Sequence, residues 1–285
     1  MPPKWSFGLW VSRISYDSQE EVVETARRLR AERYPADVIN VDTNWFKGEW
    51  QCDYRFGPRF PDPAGMFRQL REKRFRVCLW QWPYVCEHLD IFEEAQEKGV
   101  LAEGGNFDML LFKARMIDMS KPEAVQWYQA QLRGLFELGA AVIKVGFGEH
   151  VRDYESYQAY SGREMHNLYP LLYNQAAFEV TKEYFGQGII WARSGYAGSQ
   201  RYPVHWSGDN SSTFENILCS LRGGLSLGLS GFTFWSNDVG GFTGTPSDGS
   251  TCVGPSSAPS TPTCGCTTAG RATVSPGTTS QRHRR

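Results

Sequence analysis

Seven side chains able to bind or do chemistry stand where runs of apolar β-formers give out: Asp42, Trp80, Lys144, Arg193, His205, Asp209 and Asp238. They belong to six different runs, so a fold that gathers strand ends gathers these residues as well. Carboxylates and a guanidinium make paired hydrogen bonds to neighbouring hydroxyl groups, and an indole covers the flat apolar face of a ring. Acids alternating with tryptophan and one arginine therefore suit a pocket for a polyhydroxylated ligand. Asp238 taken alone reads equally well as a helix cap.

Lys144 makes the strongest demand on the fold. It interrupts the stretch Ala141-Val-Ile-Lys-Val-Gly-Phe-Gly-Glu149, whose apolar β-formers run directly into two glycines and an acid. Such a stretch predicts a strand buried on both faces, ending in a polar loop. A lysine inside it is costly unless the ammonium snorkels to the rim or meets a carboxylate or a ligand.

The elements that must position these residues alternate along the chain. Strands are expected at Ser6–Val11, Ala36–Trp45, Arg76–Trp82, Ala141–Val145, Gly188–Ala192, Val204–Asp209 and Gly231–Trp235. Between them, Ser18 with Glu21 forms a capping box ahead of Val22, Ala26 and Leu29 at helical spacing. Asp62-Pro63 starts a helix carrying Met66, Phe67 and Leu70 on its inner face. Ser120 and Glu123 make a second capping box, for a helix stopping at Gly139. A helix over 167–185 turns Ala176, Val180 and Tyr184 inward, and Ser212 with Glu215 caps another through Leu218 and Leu221. Residues 84–117 are poorly patterned and predict a long loop with short helices.

Strand and helix alternating in one direction predict parallel strands, and the favoured closure is a (β/α)8 TIM-type barrel over residues 1–246, incomplete at about seven units. A doubly wound open sheet is the alternative, but no Gly-rich phosphate turn follows the first strand. In a barrel, chemistry sits at the C-terminal ends of the strands, where the polar residues above are found.

Composition narrows the partners. Lys plus Arg (30) nearly balance Asp plus Glu (31), which speaks against nucleic acid and anionic membranes. No apolar run approaches membrane length, and Met1-Pro-Pro-Lys-Trp5 lacks the apolar core of a signal peptide, so a cytoplasmic location is expected. Cys52, Cys78, Cys86 and Cys219 have no metal-ligand spacing and read as reduced thiols; no metal or organic cofactor is implied.

After Pro246 the character changes. Residues 247–285 are Ser, Thr, Pro, Gly, Cys and Arg without periodicity, which predicts disorder. A slipped reading frame gives a more specific account. Gly254-Pro-Ser-Ser-Ala-Pro-Ser-Thr-Pro262 can be encoded by GGG CCC AGT TCG GCG CCT TCT ACC CCC. One base earlier, with a T ahead, the same bases read Trp-Ala-Gln-Phe-Gly-Ala-Phe-Tyr-Pro, a credible barrel sequence. On this reading Cys252, Cys264 and Cys266 are accidents of frame.

Over roughly residues 5–246 the sequence resembles glycoside hydrolase family 31, the retaining α-glucosidase and α-xylosidase family. The resemblance rests on Phe7-Gly-Leu-Trp10, Val41-Asp42, Phe60-Pro-Asp-Pro63, Lys144-Val-Gly-Phe-Gly-Glu149, Ala192-Arg-Ser194, Pro203-Val-His-Trp-Ser-Gly-Asp209, Leu221-Arg-Gly-Gly224 and Phe234-Trp-Ser-Asn-Asp-Val-Gly-Gly-Phe242, in family-like order and spacing. It implies an oligosaccharide or α-glycoside substrate and Asp209 as general acid/base. It also implies a sugar subsite lined by Asp42, Trp80, Lys144 and Arg193, with His205, Asn237 and Asp238 nearby; Asn237 stands where such enzymes often have His.

The main departure is Gly146. The family motif reads Lys-x-Asp-Phe-Gly-Glu, its Asp is the nucleophile, and this chain has Gly. A retaining mechanism needs two carboxyl groups roughly 5 to 5.5 Å apart. Losing the covalent nucleophile costs on the order of 10⁴ to 10⁶ in rate. An inactive or nearly inactive α-glycosidase is therefore expected. A sugar-binding pseudoenzyme is the alternative, and a single-base change from Asp (GAC to GGC) is a third account. The missing side chain also predicts a cavity at Gly146 that small anions can enter. The resemblance further implies a β-sandwich before the barrel, β-domains after it and an eighth unit. Without that unit, exposed first and seventh strand edges and low solubility are expected.

Overall fold

The computed structural model describes residues 1–244, apart from 15, 105, 106, 110 and 111, together with the strand Thr263–Thr268. The expected disorder of 247–262 and 269–285 lies outside the described residues.

In chain order the elements are β1 (Leu9–Arg13), α1 (Gln19–Ala31), β2 (Ala36–Val41), α2 (Pro63–Glu72), β3 (Arg76–Gln81), β4 (Tyr84–Cys86), α3 (Asp90–Glu97), β5 (Phe107–Met109), β6 (Phe112–Met116), α4 (Pro122–Leu138), β7 (Val142–Val145), α5 (Gly162–Phe185), β8 (Ile190–Ala192), β9 (His205–Trp206), α6 (Phe214–Leu229), β10 (Trp235–Asp238) and β11 (Thr263–Thr268). Strands β1, β2, β3, β7, β8, β9 and β10 are the seven expected from the sequence. They run parallel in a curled wall, an incomplete (β/α)8 barrel.

The eighth place is not empty. β11 pairs parallel with β1 (Leu9 opposite Cys264) and with β10 (Ser236 opposite Thr263), closing the ring. The expected open edges of the first and seventh strands are thereby covered. Strand ladders are satisfied by backbone N–H and C=O groups, so a Thr/Gly/Cys segment can fill the place without apolar patterning.

Several elements differ from the sequence expectation. The first begins with a 3-10 turn, Lys4–Phe7, and the strand itself only at Leu9. Residues 84–117 are not a loop: β4, β6 and β5 form a small antiparallel sheet beside α3. α4 has Lys121 at its N-cap with no side-chain bond; Ser120, one residue before the cap, donates its hydroxyl to Asp118 Oδ1 at 2.6 Å and accepts from Ala159 N at 3.2 Å. α5 starts earlier than expected, at a complete Ser161/Glu164 capping box, and Tyr184 on it is 44% exposed. α6 is capped by Thr213, not Ser212, and the last strand of the wall begins only at Trp235.

Other local signals hold, although the Ser18/Glu21 box is half made, the Glu21 carboxylate accepting from Asp17 N at 2.7 Å. Ser18 Oγ accepts from Glu21 N and Asp62 Oδ1 from Gly65 N, and Val22, Ala26, Leu29, Met66, Phe67 and Leu70 are buried under these caps. Gly139 ends α4 at φ 125°, a conformation that favours glycine. Cys52, Cys78 and Cys86 are buried free thiols and Cys219 is exposed. Among the described residues no helix is long and apolar enough to cross a membrane.

Strand alternation sorts the core into two parts. Trp10, Val38, Cys78, Val142, Trp191 and Trp206 form one buried cluster, and the same faces of β2 and β7 carry Asn40 and Lys144 two residues further on. Ile39, Val41, Val77, Leu79, Ile143 and Val145, the alternate residues, pack with the helices in the larger core.

Candidate active site

The site is built on top of the tryptophan cluster. Lys144 is buried, and its Nζ donates to Asp42 Oδ2 at 2.8 Å. Burial works against the ammonium charge, but Asp42, Asp238 and the hydrogen bond to Asp42 outweigh it, and the Lys144 pKa is raised above 10.5. The same ammonium lies 4.7 Å from the Trp191 ring and 4.8 Å from the Trp206 ring. Of the outcomes the sequence allowed for Lys144, meeting a carboxylate is the one found.

Asp42 follows directly on β2, and its oxygens are well supplied. Asn40 Nδ2 donates to Oδ2 at 2.8 Å and Thr43 N to Oδ1 at 3.1 Å; Asn40 also donates to Ser12 Oγ at 2.8 Å. Asp238 ends β10, is buried, and adds a second carboxylate to the field around Lys144.

A second polar group forms at the outer end of β8. Arg193 N donates to Val145 O at 3.0 Å, which fixes its backbone beside the end of β7. Its side chain then bridges two acids: Nε to Glu149 Oε1 at 2.8 Å and Nη1 to Asp209 Oδ2 at 3.0 Å. The guanidinium carbon sits 4.4 Å from the Phe147 ring centre. Glu149 and Asp209 are about one-third exposed, so these ion pairs orient the loops more than they stabilise the fold. Asp209 and the loop at 146–149 are thus tied to one arginine at one rim of the barrel.

Gly146 is the first residue beyond β7. Its N–H donates to Gln81 O at 2.9 Å, and its carbonyl accepts from Tyr173 Oη at 3.3 Å. Phe147, next in line, has φ 56°, an unusual value for a residue with a side chain; it is set among Trp50, Trp80, Trp82 and Tyr84. Strain of this kind persists where the surroundings over-determine it, and it clusters at functional sites. The cavity expected at Gly146 is not present. The indole of Trp80 fills that space, since a Cβ on residue 146 would lie 2.4 Å from Trp80 Nε1.

Two of the sequence-derived residues do not join the others. His205 is buried on the opposite side of β9 from Trp206, with Nε2 3.5 Å from Asn174 Nδ2 on α5 and its ring edge-on to Phe232. Burial lowers its pKa from 6.5 to about 4, so it is a neutral packing residue at pH 7. Asn237 lies between Ser236 and Asp238, and in a strand that sends it to the other face from both. Conversely, sequence reasoning passed over Asn40, Ser12, Trp191 and Trp206. Alternation along β2 and β8, counted back from Asp42 and Arg193, would have found Asn40 and Trp191. Among the described residues no group of three His, Cys, Asp or Glu is placed to hold a metal ion.

The chain and its fold have counterparts among known proteins. Residues 1–254 match the sequence profile described as the glycosyl hydrolases family 31 TIM-barrel domain. An alpha-xylosidase from Emericella nidulans is 36% identical over 257 residues, covering 86% of this chain and 33% of that protein. The alpha-xylosidase XylQ of Lactiplantibacillus pentosus is 35% identical over 260 residues, covering 85% of the chain and 33% of the relative. A crystal structure of an alpha-xylosidase from a soil metagenome, complexed with xylose, superposes with a TM-score of 0.79 at 31% identity, over 86% of this chain and 38% of the other. The chain thus spans about a third of the length of the curated relatives it matches.

Proposed function

Because the chain belongs to glycosyl hydrolase family 31, and its relatives include α-xylosidases and α-glucosidases, we propose that its barrel rim is an α-glycoside site of the retaining type that has lost its nucleophile. In this reading Asp42 and Lys144 hold hydroxyl groups of the sugar, with Trp80 and Arg193 beside them and Asp209 as proton donor. Position 146 is where the attacking carboxylate would stand. The observation that carries it is the arrangement around Arg193: one guanidinium joins the loop that follows Gly146 to the loop that carries Asp209. The two positions that a double displacement needs therefore belong to one rim, and one of them has no side chain. With no carboxylate to attack the anomeric carbon, hydrolysis falls by on the order of 10⁴ to 10⁶.

Restoring the acid tests this. Gly146→Asp should bring hydrolysis of an activated aryl α-xyloside or α-glucoside above the level of the unaltered chain, with α-configured product seen first. Removal of Asp209 in that variant (Asp209→Asn) should abolish the gain for poor leaving groups. Restored activity with inverted product would contradict the assignment.

A second reading is supported by one specific observation: the Asp42–Lys144 pair and Arg193 stand at the rim although residue 146 carries no side chain. On that reading the chain is a non-catalytic carbohydrate binder. Calorimetric titration of the unaltered chain with xylose, glucose and isoprimeverose tests the binding that both readings need, and turnover by Gly146→Asp separates them, because a pure binder gains none.

A further inference from the structure

The ends of β7 and β8 are held from outside the wall by one helix. Tyr173 and Asn174 are consecutive on α5, and both are fully buried. Consecutive helical residues point about 100° apart, so the pair reaches two different strand ends. The Tyr173 hydroxyl lies 3.3 Å from Gly146 O and 3.1 Å from Gln81 Oε1. Burial holds its pKa well above 10, so it remains a donor. Asn174 Nδ2 donates to Ser194 O at 2.8 Å, one residue beyond Arg193.

A third bond ties the two ends to each other: Ser194 Oγ donates to Phe147 O at 2.7 Å. Gly148, at φ 95°, completes the fit. A Cβ there would stand 2.9 Å from Ser194 Oγ and 3.0 Å from Tyr173 Cδ1, so the loop already lies against both groups. Packing alone asks for no polar atoms at 173 and 174, and a phenol or an amide buried here is costly unless bonded.

We infer that Tyr173 and Asn174 are positioning residues, which together set where the side chain of residue 146 stands relative to the Arg193–Asp209 pair. Tyr173 holds the peptide of residue 146. Asn174 holds Ser194 and with it the backbone of Arg193, whose guanidinium carries Asp209 at 3.0 Å. Where two groups must meet one anomeric carbon, a misplacement of about 1 Å costs on the order of 10²-fold in rate. The catalytic purpose of this clamp rests on the α-glycoside reading above; the clamp itself does not.

The full chain carrying Gly146→Asp provides the test. Added to it, Tyr173→Phe and Asn174→Ala should each lower kcat on an aryl α-xyloside by about tenfold or more, with KM within about twofold. A rise in KM at unchanged kcat, or no change in either, overturns the inference. Should Asn174→Ala not fold, Tyr173→Phe, which deletes one hydroxyl, decides alone. No turnover by Gly146→Asp itself sinks the α-glycoside reading, and the clamp is then read in the unaltered chain by amide hydrogen exchange. Tyr173→Phe should speed exchange over 146–149, and Asn174→Ala over 193–195, by about tenfold, with α1 and β2 unchanged. Exchange that stays the same at the rim, or rises equally across the chain, overturns the clamp.

Discussion

A charge inside a barrel wall survives as a member of a pair, and Lys144 has that pair in Asp42 at 2.8 Å. Both groups are 3% exposed, so neither has water to fall back on. Removing one partner of such a pair costs about 3 to 5 kcal/mol, because the other charge stays behind unpaired. Lys144→Met should therefore destabilise the chain by that amount in urea titration, and adding Asp42→Leu should recover most of the loss. A single variant as damaging as the double would show that packing, not charge, sets the cost. Since the Lys144 pKa is raised in the folded chain, its contribution is complete below 10.5 and is lost only as pH climbs through the raised value. On the acid side His205 contributes. Its pKa falls from 6.5 to about 4 on folding, so between these values the unfolded chain binds the extra proton. Stability is then full above pH 6.5 and declines as pH falls, by about 2 kcal/mol at pH 5 from this residue. His205→Gln should flatten the urea midpoint between pH 7 and pH 5; an unchanged slope would remove His205 as its cause.

At the scale of elements, caps were legible and partners were not. Ser18, Asp62 and Gly139 marked helix ends correctly, because capping is a contact within a few residues and leaves its pattern in the sequence. Ser120 is not the cap because α4 begins at Pro122 and its N-cap position falls on Lys121, so the Ser120 hydroxyl bonds Asp118 and Ala159 N instead. The antiparallel sheet of β4, β5 and β6 was missed for a related reason: its strands are short and take their pairing from each other. Candidate site residues follow the same rule. Asp42, Lys144, Arg193 and Asp209 were found as polar breaks in apolar runs, whereas which face His205 takes depends on the register of β9. α6 is the clearest excess of pattern over partner. Its apolar residues recur at helical spacing, yet Leu218 is 51% exposed, Leu225 58% and Leu229 93%. Exposed apolar faces of this kind promote association. Leu225→Gln with Leu229→Gln should raise the concentration at which light scattering first appears, while the unfolding free energy changes by less than about 0.5 kcal/mol per substitution. A marked Tm loss would mean that the face is already covered within the chain.

For the molecule as a whole, the ring is the decisive object, because a barrel has no edge only when its last gap is filled. Seven strands of the wall come from residues 9–238, and the eighth, Thr263–Thr268, arrives after a long connection and pairs on both sides. Nothing in its Thr-Cys-Gly-Cys-Thr-Thr sequence marks it as a strand of a buried wall; backbone hydrogen bonding to β1 and β10 defines it. Five residues of β1, Leu9 to Arg13, face it in register, so its removal would strip one entire side of the first strand. A chain ending at Gly244 should therefore expose β1 and β10 together and assemble edge to edge. The expected result is a shift of the size-exclusion peak toward large species at micromolar concentration, with growth of thioflavin signal over time. Charging the uncovered edge, by Val11→Lys in the shortened chain, should suppress that growth if strand pairing drives it. A shortened chain that stays monomeric and unfolds in a single cooperative step would show instead that the seven-stranded wall is self-sufficient and that β11 is dispensable for closure.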